Sequence, residues 1–170
     1  MDLTEILKLN PLNIELGSGE NPVVDGNNYI HCDIRADQPH VEISCLASCL
    51  PFPQNSVDKI FHQHLIEHIP RGELQNNLKE WLRVLKPGGK LELICPNLSF
   101  IALHWMKGDI DKKQLREWIY GGQTYTANFH YNGFDYDLIR EAFIEAGFAV
   151  CTPLEDYYSF GLHIEARKAV

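Results

Sequence analysis

The stretch from Glu73 to Cys95 limits the fold of this chain more than any other. From about Glu73 to Lys86, the residues Leu74, Leu78, Trp81, Leu82 and Leu85 fall at i, i+4, i+7, i+8 and i+11. They form one apolar stripe of a helix, which must pack on a flat apolar surface. Pro87, Gly88 and Gly89 stop that helix and turn the chain, and Lys90 to Cys95 (KLELIC) follows with the alternation of a strand. Helix, tight turn and strand are half of a βαβ unit. Short apolar runs at Asn13 to Leu16, Tyr29 to Asp33, Val41 to Ser44 and Val57 to Phe61 supply further strands, the last interrupted by Asp58 and Lys59. Leu98 to Tyr120 reads as mainly helical, followed by the irregular GGQTYTANFHYNGF. Asp135 then stands as the N-cap of a helix that buries Leu138, Ile139, Ala142, Phe143 and Ala146 and closes at Gly147. Strands at about Phe148 to Thr152 and Gly161 to Arg167 end the chain. The expected fold is α/β, a Rossmann-like, mostly parallel sheet of about seven strands.

A chain of 170 residues has room for one domain, residues 1–170. Fifteen Lys and Arg against 23 Asp and Glu give a formal charge of −8, which opposes sequence-independent nucleic-acid binding. No run is long and apolar enough to span a membrane, and the opening MDLTEILKLN lacks an export signal, so a cytoplasmic protein is expected. Five cysteines without a C-x-x-C pair indicate neither a disulfide framework nor a structural zinc site. The grouping of His40, Cys45 and Cys49 fits no common zinc spacing, and no metal site is expected.

Chemistry enters at ELGSGEN, where Gly17 and Gly19 follow an apolar strand directly. Open α/β sheets bind ligands at such carboxyl ends, and glycine allows close backbone approach. The dinucleotide pattern G-x-G-x-x-G fails at Pro22, which disfavours a nicotinamide-dependent oxidoreductase. Asp33 ends the second strand, either as an acceptor for ribose hydroxyls or as a turn aspartate.

Four segments in order, IELGSGENP, HCDIR, LPFPQNSVDKIFHQHLIEHI and EWLRVLKPGGKLELICPN, resemble the class I S-adenosylmethionine-dependent methyltransferases. With NFHYNGFDYDLIREAFIEAGF, the likeness is nearest to small methyltransferases associated with cell-surface polysaccharide synthesis. The resemblance implies an enzyme that uses S-adenosylmethionine. It assigns Glu15, Gly17, Ser18 and Gly19 to the methionine end of the cofactor and Asp33 to its ribose. Cys45 and Leu46 fall where relatives hold the adenine, and Gln63 and His64 line the pocket. The cofactor-side loops are kept, but only nine residues, Glu20 to Asn28, separate Gly19 from the second strand. A parallel crossover usually needs about a dozen or more. The helices between the first four strands are therefore expected to be reduced, leaving one apolar sheet face uncovered. A homodimer, or the N-terminal helix with the C-terminal strands, would cover that face.

An oxygen acceptor needs a proton acceptor, and the candidates are His130, His64 and His68, in that order of reach. His130 also fits a merely hydrogen-bonded loop histidine. The expected substrate is a small molecule or saccharide held by the segment 98–134, with a pocket among the aromatics from Trp105 to Phe134. No Asn/Asp-Pro-Pro-Tyr segment is present, which within this family argues against amino-group acceptors. His64, Glu67 and His68 spell H-x-x-E-H, the signature of an inverse zinc protease, but Pro70 leaves no helix long enough for it. The remaining rival is a non-catalytic, methyltransferase-like binding or partner subunit.

Overall fold

The computed structural model describes residues 2–24, 28–154 and 160–170. Seven strands, β1 (Asn13–Leu16), β2 (Ile30–Asp33), β3 (Ile43–Ser44), β4 (Val57–Gln63), β5 (Leu85–Pro96), β6 (Val150–Pro153) and β7 (Gly161–Arg167), form one sheet in the order β3-β2-β1-β4-β5-β7-β6. Neighbours from β3 to β5 are parallel, while β7 runs antiparallel to both β5 and β6. The helices are α1 (Leu3–Ile6), α2 (Arg71–Val84), α3 (Leu98–Lys107), α4 (Lys112–Tyr120) and α5 (Tyr136–Ala146). The expected Rossmann-like α/β sheet is thus present.

The apolar stripe of α2 lies on the sheet as its spacing requires. Leu78 and Trp81 are fully buried, and the Trp81 indole donates to the Ala47 carbonyl at 2.9 Å. The helix ends at Val84 and not at Lys86, because Leu85 already pairs with Val57 in the sheet. The Pro87-Gly88-Gly89 turn is a bulge inside β5: pairing passes from Val57 opposite Leu85 to Lys59 opposite Lys90. A β-carbon on Gly89 would stand 2.8 Å from the Lys86 carbonyl, so the bulge admits only glycine there. Lys168, just past β7, donates to the carbonyls of Leu82 and Leu85 at 2.7 and 2.8 Å and caps the end of α2. The α5 helix starts at the Asp135 cap, closes at Gly147 and packs on α2. Leu138, expected in its buried face, is instead 48% exposed.

No helix occupies the described parts of the connections β1 to β2, β2 to β3 or β3 to β4, as their lengths implied; residues 25–27 of the first lie outside the described residues. One sheet face therefore lacks helices over these strands. Over β1, β2 and β4 that face holds the buried Glu15, His31 and Phe61, and over β5 and β7 it is ionic instead of the apolar surface expected. Strand alternation turns Leu91, Leu93 and Cys95 of β5 and Leu162, Ile164 and Ala166 of β7 into the helix-covered core. The same alternation turns Lys59, Lys90, Glu92, His163 and Glu165 to the opposite face. There Lys59 meets Glu92 at 2.6 Å, His163 meets Glu92 at 2.9 Å and Lys90 meets Glu165 at 3.4 Å. Asp58 and Lys59 interrupt the apolar run of β4 without ending it, since Asp58 accepts from the Leu12 amide and Lys86 while Lys59 belongs to the ionic face. No helix among the described residues is long and apolar enough to cross a membrane.

Candidate functional site

The chain runs outward from β1 to β2 and β3, then returns to β4 on the other side of β1. The crevice at the carboxyl ends of β1 and β4 is the place where open α/β sheets take their ligands. A cavity of about 640 Å³ opens there, within the range of roughly 300–1,000 Å³ of small-molecule sites. Glu15, Gly17, Ser18, Gly19, Asp33, Cys45, Leu46, Gln63 and His64 all line it. Residues that share no local motif are gathered because each directly ends or follows one of the strands β1 to β4.

Gly17 has φ +66°, and a β-carbon on it would stand 3.0 Å from Leu65 in the turn after β4. The turn is rigid: the Gly17 amide donates to the Cys32 carbonyl at 2.7 Å, and the Gly19 amide donates to Asp33 Oδ2 at 2.9 Å. Asp33 also accepts from the Arg35 amide and side chain, so its turn role is present as well. Glu15, 1% exposed, accepts from His31 Nδ1 at 2.8 Å and from the Val23 amide at 2.9 Å. Ser18 differs from these neighbours, since its hydroxyl is buried without a protein partner. Cys45 and Cys32 both line the cavity wall; the neighbouring Cys32 thiol holds that of Cys45 below its ordinary pKa, and Cys45 together with burial holds that of Cys32 well above. Sequence reasoning passed over Arg35 and Tyr125 as site residues. Arg35 pairs with Asp33 and lies 5.6 Å from the Tyr125 ring centre, and both line the cavity.

Glu67, Arg71, Trp118, Tyr120, His130 and Tyr131 are among the residues lining a second cavity of about 390 Å³, whose wall includes Tyr131 in common with the first. Trp118 and Tyr120, from the segment where the acceptor's pocket is expected, line this cavity, whereas Trp105 lies outside the wall and is 39% exposed. His64 and His68 line the first cavity and His130 the second. H-x-x-E-H does not form on a helix: Ile66–His68 is a single 3-10 turn, and His64 precedes it with φ +53°. His64 Nδ1 instead bonds Glu67 Oε1 at 2.9 Å. The loop from Phe129 to Asn132 closes on that turn, with the Tyr131 and Asn132 amides donating to the Glu67 carbonyl at 2.8 and 3.2 Å. His68 Nδ1 donates to the Phe129 carbonyl at 3.0 Å and His130 Nδ1 to the Trp118 carbonyl at 3.1 Å, so each ring keeps Nε2 as its acceptor. Burial, opposed by nearby Glu67, holds the His130 pKa below its ordinary value. The ring is neutral at pH 7. The meeting of Glu67 with His130 depends on tertiary closure that no local spacing announces.

Residues 24–93 match the family model described as a methyltransferase domain. No curated protein matches the chain. Among solved structures, the CurJ carbon methyltransferase is 18% identical with a TM-score of 0.63, over 96% of this chain and 50% of its own. A Thermotoga maritima protein described as an S-adenosylmethionine-dependent methyltransferase, possible histamine N-methyltransferase, is 16% identical with a TM-score of 0.66, over 97% of this chain and 86% of its own. An S-adenosylmethionine-dependent methyltransferase of Methanosarcina mazei is 16% identical with a TM-score of 0.61, over 100% and 99% of the two chains. The chain thus spans about half the length of the first of these and nearly all of the last.

Proposed function

We propose that the two cavities are the donor and acceptor halves of one methyl-transfer site. The chain carries an S-adenosylmethionine-dependent methyltransferase domain, with S-adenosylmethionine as its cofactor. The single observation that carries the reading is the Tyr131 wall shared by the cavities, with the rings of His68 and His130 at 4.8 Å beside it. A cofactor with an ammonium, a carboxylate and a ribose diol fits the first cavity, whose wall offers the buried, unpartnered Ser18 hydroxyl and the carboxylates of Glu15 and Asp33. Glu15, Gly17, Ser18 and Gly19 would hold its methionine end and Asp33 its ribose. Cys45 and Leu46 would flank its adenine, with Gln63 and His64 lining the middle.

The cofactor supplies an electrophilic methyl group on a sulfonium. The chain's part is to hold the acceptor in line with it and to remove a proton. The acceptor is a small molecule or saccharide methylated at oxygen, of the kind used in cell-surface polysaccharide synthesis, bound by the segment 98–134. His130 is the first candidate for the proton: its ring is neutral, its Nδ1 is held by Trp118, and its Nε2 accepts. His68 and His64 follow it. The five free thiols support a reducing, cytoplasmic setting. A second reading, a non-catalytic binding or partner subunit, is favoured by the engagement of Glu15 and Asp33 within the chain. A homodimer across the open sheet face would have to join ionic surfaces.

Thermal shift separates these readings. S-adenosylhomocysteine at 100 times its dissociation constant should stabilise by roughly 2.7 kcal/mol, and NADH should not. Gly17→Val, which places branches against Leu65, should abolish the shift, and Asp33→Ala should weaken it. No shift in the unaltered chain would sink the donor-site assignment. A shift without transfer of labelled methyl to any of a panel of hydroxylated saccharides would favour the non-catalytic reading.

A further inference from the structure

Glu67, His68 and His130 each offer a ligand atom, and these atoms lie within 4.8 Å of one another. Three independent features of the cluster point the same way. First, both imidazoles donate Nδ1–H to backbone carbonyls, Phe129 for His68 and Trp118 for His130. This second-shell arrangement fixes the tautomer of metal-binding histidines and leaves Nε2 as the ligand atom. Second, the Glu67 side chain is 2% exposed, its Oε1 accepts from His64, and its Oε2 is buried with no partner among the described residues. A buried carboxylate oxygen without a partner is costly unless a proton donor or cation meets it. Third, the two imidazoles face each other edge to face with centres 4.8 Å apart. Two rings whose Nδ1 atoms are both turned to carbonyls can share a cation between their Nε2 atoms.

We propose that Glu67, His68 and His130 bind a first-row divalent cation of the zinc class at the wall between the two cavities. Two histidines and one carboxylate are a known ligand set for zinc with an open position. Metal–ligand bonds of about 2.0–2.2 Å put ligand atoms about 3.0–3.5 Å apart. The cluster must therefore tighten by at most roughly 2 Å from its upper limit of 4.8 Å. Side-chain rotation accommodates that, since His68 and His130 are only half-buried. Glu67 and His130 line the acceptor cavity and His68 the donor cavity, so an ion here stands where the transferred methyl passes.

Cation binding is independent of methyl transfer, but the use made of it rests on the acceptor assignment above. An acceptor hydroxyl on the open position loses its proton more readily. Its O–H bond breaks, the electron pair stays on oxygen and the proton passes to water. In that state His130 is a ligand, and the bare-base role belongs to the metal-free protein alone.

The test uses the full chain freed of metal with a chelator. Titration with Zn²⁺ followed by calorimetry should give one equivalent, and Co²⁺ should give the visible absorption of a histidine-bound ion. Glu67→Gln and His130→Ala should each weaken Zn²⁺ binding by more than roughly tenfold while keeping the S-adenosylhomocysteine thermal shift. Absence of stoichiometric binding in the unaltered chain overturns the proposal. So does binding that both variants retain, which would place the ion elsewhere, such as at the exposed His104–Asp109 pair. Should the variants fail to fold, anomalous diffraction from zinc-soaked crystals of the unaltered chain decides: a peak within bonding distance of all three residues supports the site, and any other position refutes it. A cofactor shift without zinc binding removes this proposal alone; zinc binding without a cofactor shift removes the donor-site assignment alone.

Discussion

The two faces of the central sheet are made by the same strands and stabilised by different physics. Toward α2 and α5, β5 and β7 present Leu91, Leu93, Cys95, Leu162, Ile164 and Ala166, all buried. Toward the other side, alternate residues of these strands and of β4 form ion pairs through Lys59, Lys90, Glu92 and Glu165, with His163 hydrogen-bonded to Glu92. A sheet that loses its helices on one side need not recruit a partner to hide apolar surface. Charged and polar residues at alternate positions of β5 and β7 instead satisfy one another on that face.

The comparison can be broken first on the covered face. Trp81→Ala removes the largest fully buried side chain and its bond to Ala47, and should cost about 3–5 kcal/mol in urea unfolding. A loss below about 1 kcal/mol would mean that α2 is not what anchors this side. Next comes His62, fully buried on β4 against Trp81, with neither ring nitrogen hydrogen-bonded. Burial, only partly offset by Glu67, lowers its pKa to about 4. Between pH 6.5 and about 4 the unfolded chain takes up a proton that the folded chain refuses. Stability should thus be complete above that window and fall by roughly 3 kcal/mol on descending through it. His62→Leu should flatten this dependence; an unchanged profile would assign acid sensitivity to other groups.

The open face should give the smallest effects. Burial opposes ionisation of Glu92, but Lys59 and His163 outweigh it and hold the carboxyl below its ordinary value. The pairs contribute above the ordinary glutamate range and are lost as pH falls through the lowered value. Glu92→Gln should cost under about 1 kcal/mol and lose most of that in high salt. A cost of several kcal/mol would show that this face is a buried ionic core. Gel filtration at ordinary salt should show a monomer, because the described charges on this face pair within the chain; a dimer abolished by Glu92→Gln would reverse that inference.

Much of this was legible in the residues. The stripe of α2, the cap at Asp135 and the stop at Gly147 are local devices, and they appear where spacing put them. That Glu15, Gly17, Asp33 and Gln63 share one cavity is legible because strand ends are short-range features, and a parallel sheet brings them together automatically. The ionic face is hidden in KLELIC for a definite reason: its alternation marks a strand, but which side Lys90 and Glu92 take depends on the partner strands β4 and β7. The helix boundary at Val84 was hidden because a bulge looks like a turn until its partner strand is known. His130 stands out in the sequence, but that Glu67 and His68 are its neighbours does not. The closure of the 129–132 loop over Glu67 rests on backbone bonds between segments far apart in the chain.

That closure also bears on how one chamber answers the other. Tyr131 forms part of both cavities, and its amide is tied to Glu67. A partition common to two chambers does not shift for one without shifting for the other. If the two cavities are donor and acceptor halves as proposed, occupancy of either should change affinity for the other by the same factor, which titration of each ligand with and without the other would measure.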